Sequence, residues 1–155
     1  MAEQREFAVP KDKQAVMVHL IGGEIRSGNI FLEYFPGAST LHQKVKLFLE
    51  NANRFFPLTD EGRPPTFINK ERVSMLEVDI SHEEPAYSLM HIEDITMQFI
   101  DGSALSGELL AEVPKEKTRL SDCLNLPEAF LSVKKKNIIY YLNKTTIQKV
   151  VYTKG

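Results

Sequence analysis

One pattern limits what this 155-residue chain can fold into: much of it is written twice, in the same order. Leu20-Ile21-Gly22-Gly23-Glu24-Ile25-Arg26-Ser27-Gly28-Asn29-Ile30 matches Phe99-Ile100-Asp101-Gly102-Ser103-Ala104-Leu105-Ser106-Gly107-Glu108-Leu109. Val45, Leu49 and Phe55 then match Leu120, Leu124 and Phe130. Phe67-Ile68-Asn69-Lys70-Glu71-Arg72-Val73 matches Tyr141-Leu142-Asn143-Lys144-Thr145-Thr146-Ile147, with Leu76 and Val150 following. The offset falls from 79 residues in the first block to 75 and then 74, so the second copy has shorter loops. Three blocks in register point to two diverged copies of one module.

Within a copy the pattern is strand-rich. Val16, Val18 and Leu20 alternate with Met17 and His19 before Gly22-Gly23, and Ile25 to Tyr34 follows. Alternation around a glycine pair is a hairpin signal, and Asp101-Gly102 gives the second copy the same signal. Gly28 and Gly107 interrupt the second strand at matching places, which marks a bulge or bend. Leu41, Val45, Phe48 and Leu49 have helical spacing, and Arg119 to Asn125 predicts a shorter helix stopped by Pro127. Each copy then ends in two short strands, Thr66–Ile68 and Arg72–Val78 in the first, Asn137–Leu142 and Thr145–Tyr152 in the second. The core is expected to hold Leu20, Ile30, Val45, Leu49, Phe55, Ile68 and Val73 in the first copy. In the second it is expected to hold Phe99, Leu109, Leu120, Leu124, Phe130, Leu142 and Ile147.

The Gly23–Gly28 and Gly102–Gly107 spacings, and the apolar frames Ile68-Val73-Leu76 and Leu142-Ile147-Val150, resemble the two motifs of Sm-like proteins. The resemblance implies a mainly β fold, a tandem repeat of two small bent antiparallel barrels of Sm-like or SH3-like type, each with one short helix. It implies RNA binding as one function. Where Sm-like proteins carry Arg-Gly at the RNA, this chain has Asn69-Lys70 and Asn143-Lys144. The stretch Arg119-Leu120-Ser121-Asp122-Cys123-Leu124-Asn125 also resembles one in uncharacterised bacterial proteins. The expected organisation is an N-terminal arm (1–13), a first module (14–79), an acidic connector (80–94) and a second module (95–155). Within the connector Tyr87, Leu89 and Met90 extend the second module's first strand, and the modules pack as a pseudo-twofold pair.

The residues supply no constellation for catalysis. His19, His42, His82 and His91 lack the short spacing of a zinc site, and Cys123 is the only cysteine. Cys123 stands beside Asp122, which disfavours a thiolate, so a small buried apolar role is expected. Gly22-Gly23 joins two strands, whereas phosphate-binding loops lead into a helix. The expectation is a protein that is not an enzyme and carries no cofactor or metal. A deep pocket lined by both copies would speak against this, and small-ligand binding at their junction stays open.

A net charge of −2 argues against nucleic-acid binding by bulk charge. No apolar run has the length of a membrane span, the single cysteine fits a reducing compartment, and a cytoplasmic location is expected. From Ile95 onward nine Lys and Arg face six Asp and Glu, whereas Val16 to Asp79 has seven against eight. Lys134-Lys135-Lys136 is expected in a turn between strands, with Tyr140 and Tyr141 nearby, a pairing that suits single-stranded nucleic acid. The Thr59–Pro65 loop, with Arg63, holds the corresponding place in the first copy. The candidate binding residues are therefore Lys134, Lys135, Lys136, Asn143, Lys144, Asn69, Lys70 and Arg63. The expected function is a non-catalytic protein-interaction or regulatory module with a protein partner, with RNA as the alternative partner.

Overall fold

A computed structural model describes residues 11–34, 36–37, 40–82, 91–113, 116 and 119–153. The fold is mainly β, with antiparallel sheets and two helices. The chain runs β1 (Lys11–Leu20), β2 (Ile25–Glu33), α1 (Leu41–Glu50), β3 (Phe55–Leu58), β4 (Thr66–Asn69), a 3-10 turn (Lys70–Arg72) and β5 (Val73–Asp79). It continues as β6 (His91–Phe99), β7 (Ala104–Ala111), α2 (Leu120–Leu124), β8 (Phe130–Lys135), β9 (Ile138–Asn143), a 3-10 turn (Lys144–Thr146) and β10 (Ile147–Tyr152). Both halves thus have the same element order. The short strands β3 and β8 were missing from the sequence reading, which left those segments helical or irregular. The first expected strand begins at Lys11, inside the expected arm. Tyr87, Leu89 and Met90 lie outside the described residues.

Turn chemistry accounts for the paired strands. Gly23 has φ 102° and Gly102 has φ 91°, a region that glycine enters without steric cost. Leu20 N–H donates to the Glu24 carbonyl and Gly23 N–H to the Leu20 carbonyl. Phe99 with Ser103 and Gly102 with Phe99 repeat both bonds, so the loops span 21–24 and 100–103 rather than two residues. Gly28 and Gly107 serve close approach: a Cβ on Gly28 would lie 2.8 Å from both Leu58 Cγ and the Thr59 carbonyl oxygen. One on Gly107 would lie 2.7 Å from Val133 Cγ1 and 2.9 Å from the Lys134 carbonyl oxygen. The third strand of each half, near its end, therefore lies tight against the second at its glycine. Helix α1 starts in a capping box, in which Thr40 Oγ1 accepts from Gln43 N–H and Gln43 Oε1 accepts from Thr40 N–H.

One sheet of eight strands has the order β10-β6-β7-β8-β9-β5-β1-β2, and β3-β4 form a second sheet. An isolated bridge between Asn29 and Thr59 links β2 to β3. Each copy is expected from its sequence to form a small bent barrel or half-barrel, and no closed barrel is found among the described residues. Closing the second half would require its fourth strand, β9, to meet its own fifth strand, β10. Instead β9 pairs with β5 of the first half, from Met75 opposite Leu142 to Asp79 opposite Ile138. The halves are therefore joined fourth strand to fifth strand, head to tail, and not as the pseudo-twofold pair the repeat suggested.

The cores follow from this joint. One cluster gathers Val18, Ile30, Leu32, Val45, Phe56, Ile68 and Leu76 together with Leu110, Phe130, Ile139 and Tyr141 of the second half. The other holds Ile95, Met97, Leu109, Leu120, Cys123, Val133 and Leu142, with Leu124 and Ile147 partly buried against it. Two core expectations are corrected. Phe130 packs into the first cluster, and Phe55 is exposed while its neighbour Phe56 is buried, because alternation along β3 points only one of the two inward. Tyr34, expected as the last residue of the second strand, is exposed just beyond its end.

Candidate functional site

The joint between halves is held by named polar contacts as well as by the β5–β9 ladder. His42 on α1 is buried, stacks on Tyr141 of β9 and shares a 2.8 Å hydrogen bond between its Nδ1 and the tyrosine hydroxyl. Burial, aided by nearby Lys46, lowers the His42 pKa to about 4, so the imidazole stays neutral at physiological pH. Asn143 Nδ2 donates to the Val73 carbonyl at 2.9 Å, and Lys46 pairs with Glu128 at 3.4 Å. Ile80 N–H closes the far end of the ladder on the Asn137 carbonyl.

The outer faces of the two halves lack such cover. In the first half Phe55 is 55% and Phe67 is 64% exposed, although they match Phe130 and Tyr141, which are 8% and 1% exposed. At the other end of the sheet β10, among the described residues, pairs on one side only, with β6, and exposes Val151 and Tyr152. Tyr152 matches Val78, which is fully buried beside β9. An unpaired strand edge with apolar side chains is a template for a further strand.

Two clefts lie along the joint. One, of about 510 Å³, is lined by Leu20, Ile21, Ile25, Met75, Phe99 and Ile100, with His19, Ser74, Asp101, Ser103, Thr145 and Thr146 as its polar groups. Its size is in the range of small-ligand sites, and both halves contribute, so the condition set against a non-enzymatic reading is met in part. Its polar groups are already engaged. Ser74 Oγ donates to the His19 carbonyl, while the His19 ring contacts Glu77 rather than the serine hydroxyl. Ser103 Oγ and N–H both donate to Asp101, which holds that carboxyl below its ordinary range. No serine in the cleft meets a histidine base, one of the arrangements that activate a nucleophile. The second cleft, of about 650 Å³, carries Arg54, Lys70, Arg72, Asn51 and Asn143. Among the described residues no group of three or more His, Cys, Asp or Glu could hold a metal ion. Among them, no helix is long and apolar enough to cross a membrane.

The candidates named from sequence fall into two groups. Lys70 is buried, and its Nζ donates to the Phe48 carbonyl (2.8 Å), the Asn51 carbonyl (3.3 Å) and Asn51 Oδ1 (2.6 Å). Desolvation lowers its pKa. Lys144 Nζ donates to the Leu126 carbonyl at 2.5 Å, and desolvation lowers its pKa as well. Asn69 Oδ1 accepts from Glu71 N–H, and Asn143 Oδ1 from Thr145 N–H. The Asn-Lys pair of each half thus shapes its own 3-10 turn and satisfies carbonyls in the last turn of its own helix or just after it. The other group lies at the β8–β9 turn and in the β3–β4 loop. Lys134 and Lys135 are the last residues of β8, paired with Ile139 and Ile138, so only Lys136 of the three lysines lies in the expected turn, with φ 57°. Lys134 approaches Glu108 at 3.9 Å, and Arg63 lies 4.0 Å from Asp60 in the β3–β4 loop. Both loops join the third to the fourth strand of their half, as expected. Cys123 is buried, and desolvation, then Asp122, raises its pKa. Sequence reading missed the His42–Tyr141 pair, since nothing local marks two residues 99 apart as partners. No family model, curated protein or solved structure matches the chain.

Proposed function

We propose that this chain is a tandem of two Sm-like or SH3-like small-barrel modules, each left open, serving as a non-catalytic module that binds protein through exposed strand edges. The order fifth-first-second-third-fourth runs through β10-β6-β7-β8-β9. It also runs through β5-β1-β2 and, by the Asn29–Thr59 bridge, on to β3 and β4, which supports equivalence of the halves. The observation that carries the binding role is that, among the described residues, β10 and β4 each lack a strand partner on one side, with Val151, Tyr152 and Phe67 exposed along them. Main-chain groups on such an edge supply affinity, and alternate side chains supply selectivity.

A second reading, RNA binding, is favoured by one observation: Arg54 and Arg72 stand exposed around the polar cleft at the joint. Co-purification of the full chain with and without nuclease, analysed by mass spectrometry, separates the two. Protein binding predicts a polypeptide retained through nuclease and moderate salt and lost from a Val150→Pro variant, since the Val150 N–H faces away from β6. Retained RNA that is lost on changing Lys134, Lys135 and Lys136 to Glu, with binding that falls steeply as salt rises, would replace the protein reading with the RNA one.

A further inference from the structure

We infer that the apolar cleft at the joint binds a small organic cation, a primary amine carried on an apolar body. The site is separate from the strand edges and goes beyond the binding role proposed for them. Matching pieces of the two halves build it. Ile21 and its counterpart in the repeat, Ile100, both line it, as do Leu20 and its counterpart Phe99. A volume of about 510 Å³ suits a ligand of modest size. Ile21, Ile25 and Ile100 are exposed, and apolar side chains left open around a concavity mark a ligand site. Phe99 adds an aromatic ring, the apolar group that best receives a cation.

The polar groups of the cleft decide the sign of the charge. Each of its four hydroxyls spends its one proton inside the chain. Ser74 Oγ donates to the His19 carbonyl, Ser103 Oγ to Asp101 Oδ1, Thr145 Oγ1 to Asn143 Oδ1 and Thr146 Oγ1 to the Asn143 carbonyl. The N–H groups of Leu20, Ile21, Gly23, Phe99 and Ile100 also donate to carbonyls of the chain. What the hydroxyls have left are oxygen lone pairs, which only accept. The charged groups agree. Among the described residues, no Lys or Arg lines the cleft. The His19 ring meets the Glu77 carboxylate, and that pair is neutral or negative wherever its proton sits. Ser103 holds Asp101 ionised through two bonds that both end on Oδ1, so Oδ2 keeps the capacity to accept. A ligand that brings N–H donors and a positive charge suits this lining. A carboxylate or phosphate would meet repulsion and no hydroxyl proton.

An NMR titration of the isotope-labelled full chain at neutral pH tests this. The probe is phenethylamine, with phenethyl alcohol and hydrocinnamate as neutral and anionic matches of the same apolar body. The expected result is saturable shifts of the backbone amides of residues 20–25, 99–103 and 145–146, with affinity falling from amine to alcohol to acid. Asp101→Asn keeps an oxygen for the Ser103 bonds and removes the charge. It should weaken the amine about twofold to fivefold, the scale of one solvent-exposed ion pair, and leave the alcohol unchanged. Glu61→Gln removes the same charge from the β3–β4 loop, outside the cleft, and should change nothing. The amide spectrum reports whether each variant keeps its fold, and the order of the three probes tests the wild type without any variant. An amine that fails to bind saturably overturns the inference. So does an alcohol or acid that binds as tightly as the amine. Shifts spread over acidic residues elsewhere and unmoved by Asp101→Asn would mean surface ion pairing, and would overturn it too.

Discussion

The β3–β4 and β8–β9 pairs occupy the same place in the two halves, yet they meet different surroundings. On β9, Tyr141 is sealed under α1 and bonded to His42, and Phe130 at the start of β8 joins the same cluster. On β3 and β4, Phe55 and Phe67 face solvent. The β8–β9 pair is buried because the first half lies against it, not because of its own sequence alone. Burial at such positions is a property of the joint, so the same aromatic position can be core in one half and surface in the other.

The largest effect expected from this contrast is at Tyr141. Tyr141→Ala removes a buried ring and leaves His42 without its hydroxyl partner, and should cost about 3–5 kcal/mol in urea unfolding. A loss below about 1 kcal/mol, the scale of an ordinary surface change, would show that the joint is not part of the cooperative core.

The same joint should make stability depend on pH. His42 has a pKa of about 4 in the fold against an ordinary 6.5. Between these values the unfolded chain binds the proton and the folded chain does not, so stability is full above about 6.5 and falls as pH drops toward about 4. The total is on the order of 3 kcal/mol. Unfolding curves of the wild type and His42→Gln, collected across this window, should converge as pH falls. Parallel curves would mean that the imidazole is not buried neutral.

The two glycine contacts come next in size. Gly28→Ala and Gly107→Ala each drive a methyl into a backbone carbonyl as well as a side chain, at an expected cost of about 1–3 kcal/mol. Gly107→Ala should lie at the upper end. There β7 and β8 form a ladder from Glu108–Lys134 to Leu110–Ser132, whereas β2 meets β3 only at the Asn29–Thr59 bridge and has more room to yield. Equal losses would remove this difference between the halves.

The glycines also show how much of the fold could be read from the sequence. Gly23, Gly28, Gly102 and Gly107 matched in spacing, and the structure gives each matched pair the same task, because a backbone constraint leaves a local mark. The helical spacing of Leu41, Val45, Phe48 and Leu49 was legible for the same reason. The strands β3 and β8 were not: Phe55-Phe56-Pro57-Leu58 is too short to show a period, and Phe130-Leu131-Ser132-Val133 is buried at every position and shows no alternation. Nor was the site fully legible. Asn69-Lys70 and Asn143-Lys144 stood out because they recur, and recurrence here reflects a shared structural duty at the end of a helix. The matched positions that differ in exposure, Phe55 with Phe130 and Phe67 with Tyr141, could not be sorted without knowing which strand lies beside β9.

The smallest expected effect completes the contrast. Phe67→Ala removes an aromatic ring at the position that matches Tyr141, but from a side chain that is 64% exposed. With little apolar contact to lose, its cost should stay within about 0.5 kcal/mol, the range of ordinary surface changes. Thermal unfolding of both proteins should therefore give matching midpoints. Midpoints that differ strongly would show that Phe67 contributes to the fold of the single chain, and the contrast with Tyr141 would then be one of degree.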